Sequence, residues 1–296
     1  VGNGKALPGK RIGITDKNFR GYGDREWIHS FYGIDVDSIA KGILEWRQHG
    51  ISLPSHDAHS ELETEDFARL FGTTVTDIPE DCCELITTMD FRYTPLSRQE
   101  RDETILGVLK TIESGSLSVV GPDRKPVWEK GWSENLQNFL ERDGDVDELV
   151  PKYYRPGQVL RLNRDYVTTF DANFEFNFFK VFRLWLFHKY FKDAESAYEF
   201  GCGPGHNLVA LAQLFPEKDI HGLDWSIAAT GLVNKIAEKH KYNITGHLFD
   251  MFSPDADLEI RNSSAILTFG ALEQLGHDYE PFLGFLLKKS PQLCLN

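Results

Sequence analysis

The chain has 296 residues, of which 41% are hydrophobic, 26% charged and 12% aromatic, a composition typical of a folded protein with one large or two ordinary domains. Lys and Arg total 32 against 45 Asp and Glu, giving a net charge of −13, and this field repels phosphate backbones and anionic membranes. Four cysteines, two of them adjacent, exclude a disulfide framework and favour a reducing compartment. We therefore expect a cytoplasmic protein that binds neither nucleic acid nor membrane.

The first half of the chain predicts helices and a few short strands. Helical spacing predicts an amphipathic helix over 35–49, and Ser60 with Glu63 has the spacing of a capping box before a second helix. Further helices are predicted at Gln99–Ile112 and Ser133–Leu140, and strands at KRIGIT and SLSVV. This half is therefore expected to be α+β or mostly helical. A boundary is predicted near residue 150, where an acidic, glycine-containing stretch meets two prolines.

The second half alternates strands and helices. A long aromatic helix is predicted over about 172–191, and the charged residues within it make it unsuited to span a membrane. After it, five mostly apolar strands alternate with helices, a pattern typical of a parallel α/β sheet. Because such sheets bind ligands at the carboxyl ends of their strands, the loops that follow the strands are the candidate site.

The most informative segment is EFGCGPGHN, residues 199–207, between the first of these strands and its helix. Gly201, Gly203 and Gly205 let the backbone turn sharply and approach a ligand beside a helix N-terminus, which implies a nucleotide-like cofactor. The third glycine of a dinucleotide fingerprint would fall at position 206, which is histidine, and the phosphate-loop signature is absent.

This segment resembles motif I of the Rossmann-like, class I S-adenosylmethionine-dependent methyltransferases, in which an acidic residue precedes x-G-x-G-x-G. The downstream spacing agrees with that family: Asp224 ends the second strand 19 residues after Gly205, and Asp250 with Met251 follows the third strand. The resemblance covers about residues 165–296 and implies S-adenosylmethionine as the cofactor. The family's sheet has seven strands whereas this chain ends at the fifth, so we expect a truncated sheet.

The resemblance also implies a role for each matching residue. The glycine loop, including the backbone of Cys202, would contact the methionyl part of the cofactor, and Glu199 would orient that loop or reach the amino group. Asp224 would accept hydrogen bonds from both ribose hydroxyls, and Trp225 would pack on the adenine. The remaining predicted cofactor contacts are Asp250 and Met251, which would read and cover the adenine, and Phe269, which would lie between cofactor and substrate.

Glu273 and His277, just past the fourth strand, are the candidates for a catalytic base or a substrate contact, because that loop faces the transferred methyl in the family. The alternative is a helix-start glutamate and a solvated loop histidine. The sulfonium already activates the methyl group, so positioning and desolvation can supply most of the catalysis. A base is needed only for a poorly nucleophilic hydroxyl.

Other clusters have simpler interpretations. His56, Asp57, His59 and Glu61 are metal-ligating residue types, but they lack a recognised zinc spacing, so a solvated loop is favoured and no metal is predicted. His206 is predicted to line the cofactor pocket, and Tyr166, by analogy, to lie over the cofactor. The aromatic-rich segments are predicted to wall a substrate cleft or to form an interdomain core; they contain Trp128, Trp132, Tyr153, Tyr154 and Arg155.

These observations predict a two-part protein. Residues 151–296 would form the S-adenosylmethionine-binding methyltransferase domain, and residues 1–150 a domain for substrate recognition or homodimer formation. The expected acceptor is a small molecule or a sugar-like metabolite, methylated on oxygen or nitrogen. Two alternatives remain open: a protein or peptide methyltransferase, and a non-catalytic scaffold subunit that binds the cofactor.

Overall fold

The computed structural model of the protein describes residues 59–115 and 120–296, and residues 59–296 form one compact unit. Its helices and strands are numbered here in chain order. The helices are α1 Thr64–Phe71, α2 Glu80–Thr88, α3 Arg98–Glu113, α4 Lys125–Glu141, α5 Phe174–Tyr190, α6 His206–Leu214, α7 Ile227–His240 and α8 Glu280–Lys289. The strands are β1 Ser60–Glu61, β2 Arg92–Pro95, β3 Leu160–Leu162, β4 Asp165–Thr169, β5 Ser196–Phe200, β6 Asp219–Asp224, β7 Ile244–Leu248, β8 Ser264–Leu267 and β9 Leu293–Leu295.

The main sheet is parallel and has the strand order β7-β6-β5-β8-β9. The chain starts at the central strand β5, adds β6 and β7 on one side and then adds β8 and β9 on the other. The order reverses beside β5, so the carboxyl ends of β5, β6 and β8 surround the crevice where such sheets bind ligands. The predicted Rossmann-like α/β sheet is confirmed.

Every residue of the central strands β5 and β8 is buried, as expected for strands that are covered on both faces, whereas the outer strands β7 and β9 are partly exposed. In β5, Ala197 faces one apolar cluster, while Tyr198 and Phe200 belong to the other. In β8, Ala265 faces the first cluster and Ile266 the second. This alternation follows from the two-residue period of a strand. The edge that carries the site is thereby held rigidly from both sides.

The predicted aromatic helix is confirmed as α5. It buries aromatic rings against α1, where Phe178 stacks on Phe67 at 5.2 Å and Trp185 stacks on Phe71 at 4.9 Å between ring centroids. Such pairs add about 1 kcal/mol each beyond their buried area. Helix α5 therefore joins the N-terminal helices to the sheet. Within the described ranges, no helix is long and apolar enough to cross a membrane.

A second, antiparallel sheet has the order β1-β2-β4-β3. Its strands come from both sides of residue 150, and Tyr93 of β2 lies opposite Thr169 of β4. This sheet was not predicted from the sequence. Its strands are short and none of the residues of β2 or β3 is fully buried, so they lack a long alternation of apolar and polar residues. The division of roles between residues 1–150 and 151–296 stays a prediction.

The predicted helices near the start of the described chain are present with some corrections. Helix α3 agrees with the prediction to one residue at each end, whereas α4 begins eight residues before Ser133. The capping box of α1 is formed by Glu63 and Asp66, and the predicted partner Ser60 instead lies in β1. The predicted helix at 35–49 and the strands KRIGIT and SLSVV lie outside the described residues, apart from Val120.

Candidate cofactor and substrate cavity

A cavity of about 470 Å³ lies at the carboxyl edge of the parallel sheet, within the size range of small-molecule sites. The loops that follow β5, β6, β7 and β8 form its floor. The side chains and backbone that line this floor are Glu199, Gly201, Cys202, Gly203, Pro204, His206, Asn207, Asp224, Trp225, Phe249, Met251, Phe252, Phe269, Gly270, Ala271, Glu273, Gln274 and Leu275. Helix α4, the segment before it, Tyr153, Tyr154 and Phe179 form the opposite walls.

The glycine loop after β5 takes the conformation that its sequence predicts. Gly201, Gly203 and Gly205 have φ values of 71°, 51° and 80°, in the left-handed region that side chains with a Cβ rarely adopt. A Cβ at Gly201 would overlap that of Ala271, and one at Gly203 would lie 2.8 Å from Cζ2 of Trp132. The loop therefore requires glycine for its backbone and for close packing.

Asp224 connects the end of β6 to this loop. Its Oδ2 accepts the backbone N–H of Gly203 at 2.9 Å, and its Oδ1 accepts that of Ser226 at 2.9 Å. Burial raises the pKa of Asp224 to about 6, although both hydrogen bonds oppose the shift. A carboxyl oxygen can accept two hydrogen bonds, so Asp224 keeps acceptor capacity toward the cavity.

Glu199, at the carboxyl end of β5, is 1% exposed. Its Oε1 accepts a hydrogen bond from Nδ2 of Asn207 at 2.6 Å, and Oδ1 of Asn207 accepts one from Nη1 of Arg183 at 3.1 Å. Oε2 of Glu199 has no hydrogen-bond partner in the described part of the chain. Burial raises the pKa of Glu199 to about 8. A buried oxygen without a partner is costly, and Glu199 is one of the residues that line the cavity.

His206 begins α6 and lines the cavity; that this cavity is the cofactor pocket stays a prediction. Its ring lies 6.2 Å from that of Phe176 and 6.1 Å from that of Phe179. Neither ring nitrogen has a hydrogen-bond partner within the described ranges. Burial and the nearby Arg183 charge lower the pKa of His206 well below its ordinary value, so the imidazole is neutral at physiological pH.

The loop after β7 is only partly in the cavity. Met251 and Phe252 of this loop line the cavity. The Phe252 ring stacks at 5.4 Å between centroids on Trp225, a lining residue that follows β6. Asp250 is not among the lining residues; its Oδ1 accepts the N–H of Phe252 at 2.9 Å, and its Oδ2 lies 3.9 Å from Nζ of Lys125. Asp250 therefore shapes the loop in this structure, and its predicted contact with the adenine stays a prediction.

The loop after β8 places the two catalytic candidates differently. Glu273 lines the mouth of the cavity, whereas His277 is exposed and lies outside the lining. Phe269 lines the cavity and packs on Phe179 at 5.6 Å. Cys202 is 2% exposed, and burial raises the pKa of its thiol well above the ordinary value, so its backbone is the part available to a ligand.

Residues 120–132 form a roof over the cavity. At one end the N–H of Gly121 donates to the carbonyl oxygen of Gln274 at 2.9 Å, in the loop after β8. Four residues further along the roof, Nζ of Lys125 lies 3.9 Å from Oδ2 of Asp250, after β7. The roof therefore crosses the sheet edge above the glycine loop. It contributes Arg124, Trp128 and Trp132 to the lining, with the two indoles stacked at 5.5 Å.

Glu129 fastens the roof to the sheet and was missed by sequence reasoning. Its two carboxylate oxygens accept the N–H groups of Ile227 and Ala228 at 2.9 and 3.0 Å. These are free donors in the first turn of α7, where a negative charge is favourable. The four-residue spacing of Trp128 and Trp132 places the two indoles on one face of α4, but no local signal reveals that Glu129 caps α7.

The remaining sequence candidates lie partly in and partly outside the cavity. Tyr153 and Tyr154 line it, whereas Arg155 and Tyr166 do not, and Tyr166 lies in β4. The role of the two lining tyrosines in a substrate cleft stays a prediction. Of the candidate metal ligands, His56 and Asp57 fall outside the described residues. Among the described residues, no group of three or more His, Cys, Asp or Glu side chains is placed to hold a metal ion.

No protein-family profile and no curated protein matches the chain. Solved structures similar to parts of it include the plantazolicin methyltransferase BpumL in complex with SAH (22% identity, 38% of this chain, 40% of that chain, TM-score 0.30). Coclaurine N-methyltransferase bound to N-methylheliamine and SAH is another (14% identity, 66% of this chain, 62% of that chain, TM-score 0.35). A third is geranyl diphosphate C-methyltransferase from Streptomyces coelicolor A3(2) (15% identity, 49% of this chain, 59% of that chain, TM-score 0.29). The chain thus spans about two fifths of the length of BpumL.

Proposed function

We propose that this chain is an S-adenosylmethionine-dependent methyltransferase that acts on a small-molecule acceptor. The observation that carries the proposal is the hydrogen bond from the Gly203 N–H to Asp224. It joins the glycine-rich loop and the acidic strand end, two elements of the methyltransferase resemblance, inside one cavity at the switch point of the sheet. The net charge of −13 further supports a small molecule rather than a nucleic acid as the acceptor.

The residues present fit this cofactor. Gly201 and Gly203 line the cavity without a side chain of their own, and Asp224 has acceptor capacity for ribose hydroxyls. The unpartnered Oε2 of Glu199 suits an ammonium group, because an added positive charge would offset the cost of burying the ionised carboxylate. Trp225 and Met251 offer apolar surface to a flat base.

When bound, the cofactor supplies a methyl group that is already activated by positive sulfur. The protein's contribution is then to bind, orient and exclude water. Glu199 would hold the ammonium group and Asp224 the ribose hydroxyls. The stacked indoles of Trp128 and Trp132 keep solvent from the roof side, so the donor and the acceptor meet in a fixed geometry, a major source of rate enhancement.

Glu273 is the group that we propose to accept a proton from the acceptor, because its carboxylate lines the mouth of the cavity. The exposed position of His277 outside the lining leaves its role a prediction from the sequence alone. A cytoplasmic location and a homodimer also stay predictions.

Calorimetric titration of the protein with S-adenosylmethionine and S-adenosylhomocysteine tests the proposal. We expect micromolar binding of both, no binding of NAD, and a loss of at least about tenfold in affinity, or about 1.4 kcal/mol, for Asp224→Asn. Circular dichroism of the variant would establish that it is folded. Equal binding of NAD, or no binding of either adenosyl compound by a folded sample, would contradict the proposal.

A further inference from the structure

One side of the cavity is a continuous aromatic surface, which we name the acceptor wall: Tyr153, Tyr154, Phe179 and Phe269. Tyr153 and Tyr154 lie 4.8 Å apart between ring centroids, Tyr154 and Phe179 6.1 Å, and Phe179 and Phe269 5.6 Å. All four line the cavity. Tyr153 is 52% exposed, so the wall extends from the interior to the mouth, where a substrate enters.

Carboxylates face this wall. The pKa of the Tyr153 hydroxyl is raised, and burial is the largest cause. The nearby Tyr154, Glu199 and Glu273 raise it further. Oε1 of Glu273 lies 3.6 Å from the position of a Cβ built on Gly270, so its carboxylate lies over the loop after β8. Because burial raises the pKa of Glu199 to about 8, Glu273 is the carboxylate that gives this side of the cavity its negative potential near neutral pH.

The positive charge in the described lining lies on the roof. Among the described residues that line the cavity, the cationic side chain is Arg124, and its guanidinium lies over the Trp128 ring of the roof at 5.6 Å. Arg183 lies behind the wall and outside the lining: its guanidinium is 5.8 Å from the Phe179 ring centroid, and its Nη1 donates to the carbonyl oxygen of His206 and to Oδ1 of Asn207. On the cavity side of the wall, Glu273 would repel an oxyanion and attract an ammonium.

His206 completes the surroundings of the wall. Its ring contacts Phe179, and both of its nitrogens lack partners in the described structure. A neutral imidazole offers one acceptor nitrogen to a ligand N–H without repelling a positive charge. Because its proton affinity is reduced by burial, it is poorly suited to remove a proton from a hydroxyl acceptor.

We propose that the methyl acceptor is an amine that binds against the acceptor wall as its ammonium form, with the nitrogen directed at Glu273 and His206. The inference rests on the proposed function and names its substrate class. Aromatic faces attract a cation by about 0.5–2 kcal/mol depending on desolvation, and a carboxylate adds a charge-assisted hydrogen bond. Positive charge is present before and after transfer, so an acidic, aromatic site suits every stage of N-methylation.

The proposed step balances as follows. The bound ammonium gives one proton to the carboxylate of Glu273, which frees the nitrogen lone pair. The lone pair forms a bond to the methyl carbon while the carbon–sulfur bond breaks, and that electron pair stays on sulfur. The nitrogen becomes a methylated ammonium, and Glu273 releases its proton to water. No oxidant, reductant or further reactant is required.

Binding of an isosteric pair tests the inference without turnover. Benzyltrimethylammonium and neopentylbenzene have nearly the same shape, but only the first is charged. Titrated in the presence of saturating S-adenosylhomocysteine, the cation is expected to bind about tenfold more tightly than the hydrocarbon. Glu273→Gln should remove most of this preference while leaving the hydrocarbon affinity unchanged. Asp278→Asn, an exposed acidic residue outside the lining of the cavity, is the matched control and should retain the preference.

The outcomes separate the two claims. Binding of S-adenosylhomocysteine together with equal affinity for the two isosteres would overturn the amine inference and leave the proposed function standing. Failure of a folded sample to bind S-adenosylhomocysteine would overturn both. A preference retained in Glu273→Gln would remove Glu273 from the proposed site, and a second variant, Tyr153→Leu, would then report whether the aromatic wall supplies the attraction. If both variants kept the full preference for the cation, the inference would be overturned.

Discussion

The carboxylate of Asp224 accepts the backbone N–H of Gly203 at 2.9 Å, so the end of one strand fixes the loop after its neighbour. The same carboxylate accepts the N–H of Ser226, the residue that caps α7 through its own hydroxyl. A single buried side chain therefore sets the backbone on both sides of the crevice. Any ligand that binds Asp224 is sensitive to the protonation state of this carboxyl.

The first prediction concerns pH and cofactor affinity. The pKa of Asp224 is raised to about 6, and protonation replaces an acceptor oxygen with a hydroxyl. We therefore expect the affinity for S-adenosylhomocysteine to fall as the pH is lowered through about 6, measured by calorimetry between about pH 5 and 7.5. In Asp224→Asn the affinity should be weaker, and the part of the pH dependence with its midpoint near 6 should be lost; a variant with the wild-type pH profile would contradict the assignment.

A second prediction concerns Glu199 and stability. Its pKa is raised from 4.5 to about 8 in the folded state, so the folded protein binds this proton more tightly than the unfolded chain. The free energy of unfolding must then decrease as the pH rises from about 4.5 to 8, the window between these two values. Glu199→Gln keeps an oxygen for Asn207 and removes the buried charge.

We expect Glu199→Gln to raise the melting temperature at pH 8.5 by roughly 5 °C and to have little effect near pH 5. Differential scanning calorimetry at both pH values measures the difference. Glu195→Gln, an exposed position just before β5, should change neither value. The same Glu199 variant should bind S-adenosylmethionine more weakly, since the partner of the ammonium group is lost; a uniform change across pH would argue against the buried charge.

A third prediction separates backbone strain from close packing in the glycine loop. Gly203 and Gly157 both have positive φ, at 51° and 71°, but a Cβ at Gly203 meets Trp132 whereas one at Gly157 meets nothing within 4 Å. Gly157→Ala should lower the free energy of unfolding by about 1 kcal/mol through strain alone. Gly203→Ala should lower it by about 2–4 kcal/mol, because the indole or the loop must also move.

Urea denaturation measures both glycine variants, and calorimetry measures their affinity for S-adenosylhomocysteine. Adding Trp132→Leu to Gly203→Ala should restore part of the lost stability, since the obstructing ring is removed. If the two alanine variants were equally destabilised, Trp132 would not be in contact with the loop in solution. The Gly157 variant should keep its cofactor affinity, because Gly157 does not line the cavity.

A fourth prediction concerns the roof. The negative charge of Glu129 contributes to the raised pKa of Asp224, so Glu129→Gln should move the pH midpoint of S-adenosylhomocysteine binding downward. The variant also weakens the cap on α7 and should lose about 1 kcal/mol of stability. Glu141 is an exposed residue of the same helix. Glu141→Gln is therefore the control and should leave the midpoint unchanged. An unshifted midpoint for Glu129→Gln would show that the roof and Asp224 are not coupled.

Much of the C-terminal half was predictable because its signals are local. The glycines of the loop report their own backbone conformation, and the alternation of apolar strands with helices follows from burial on both faces of a parallel sheet. The antiparallel sheet could not be predicted in the same way. Its strands are two to five residues long. Their pairing brings together residues that are far apart in the chain, such as Tyr93 and Thr169.

The sequence by itself determined the parallel sheet, the glycine loop and the acidic residues that follow its strands, because each depends on residues close together in the chain. Only the tertiary structure decided that Asp224 bonds to Gly203, that Glu129 caps α7 and that Glu273 lines the cavity while His277 does not. These relationships join residues far apart in the chain or depend on the direction in which a loop turns. They arise from packing between elements, which no local pattern of residue types encodes.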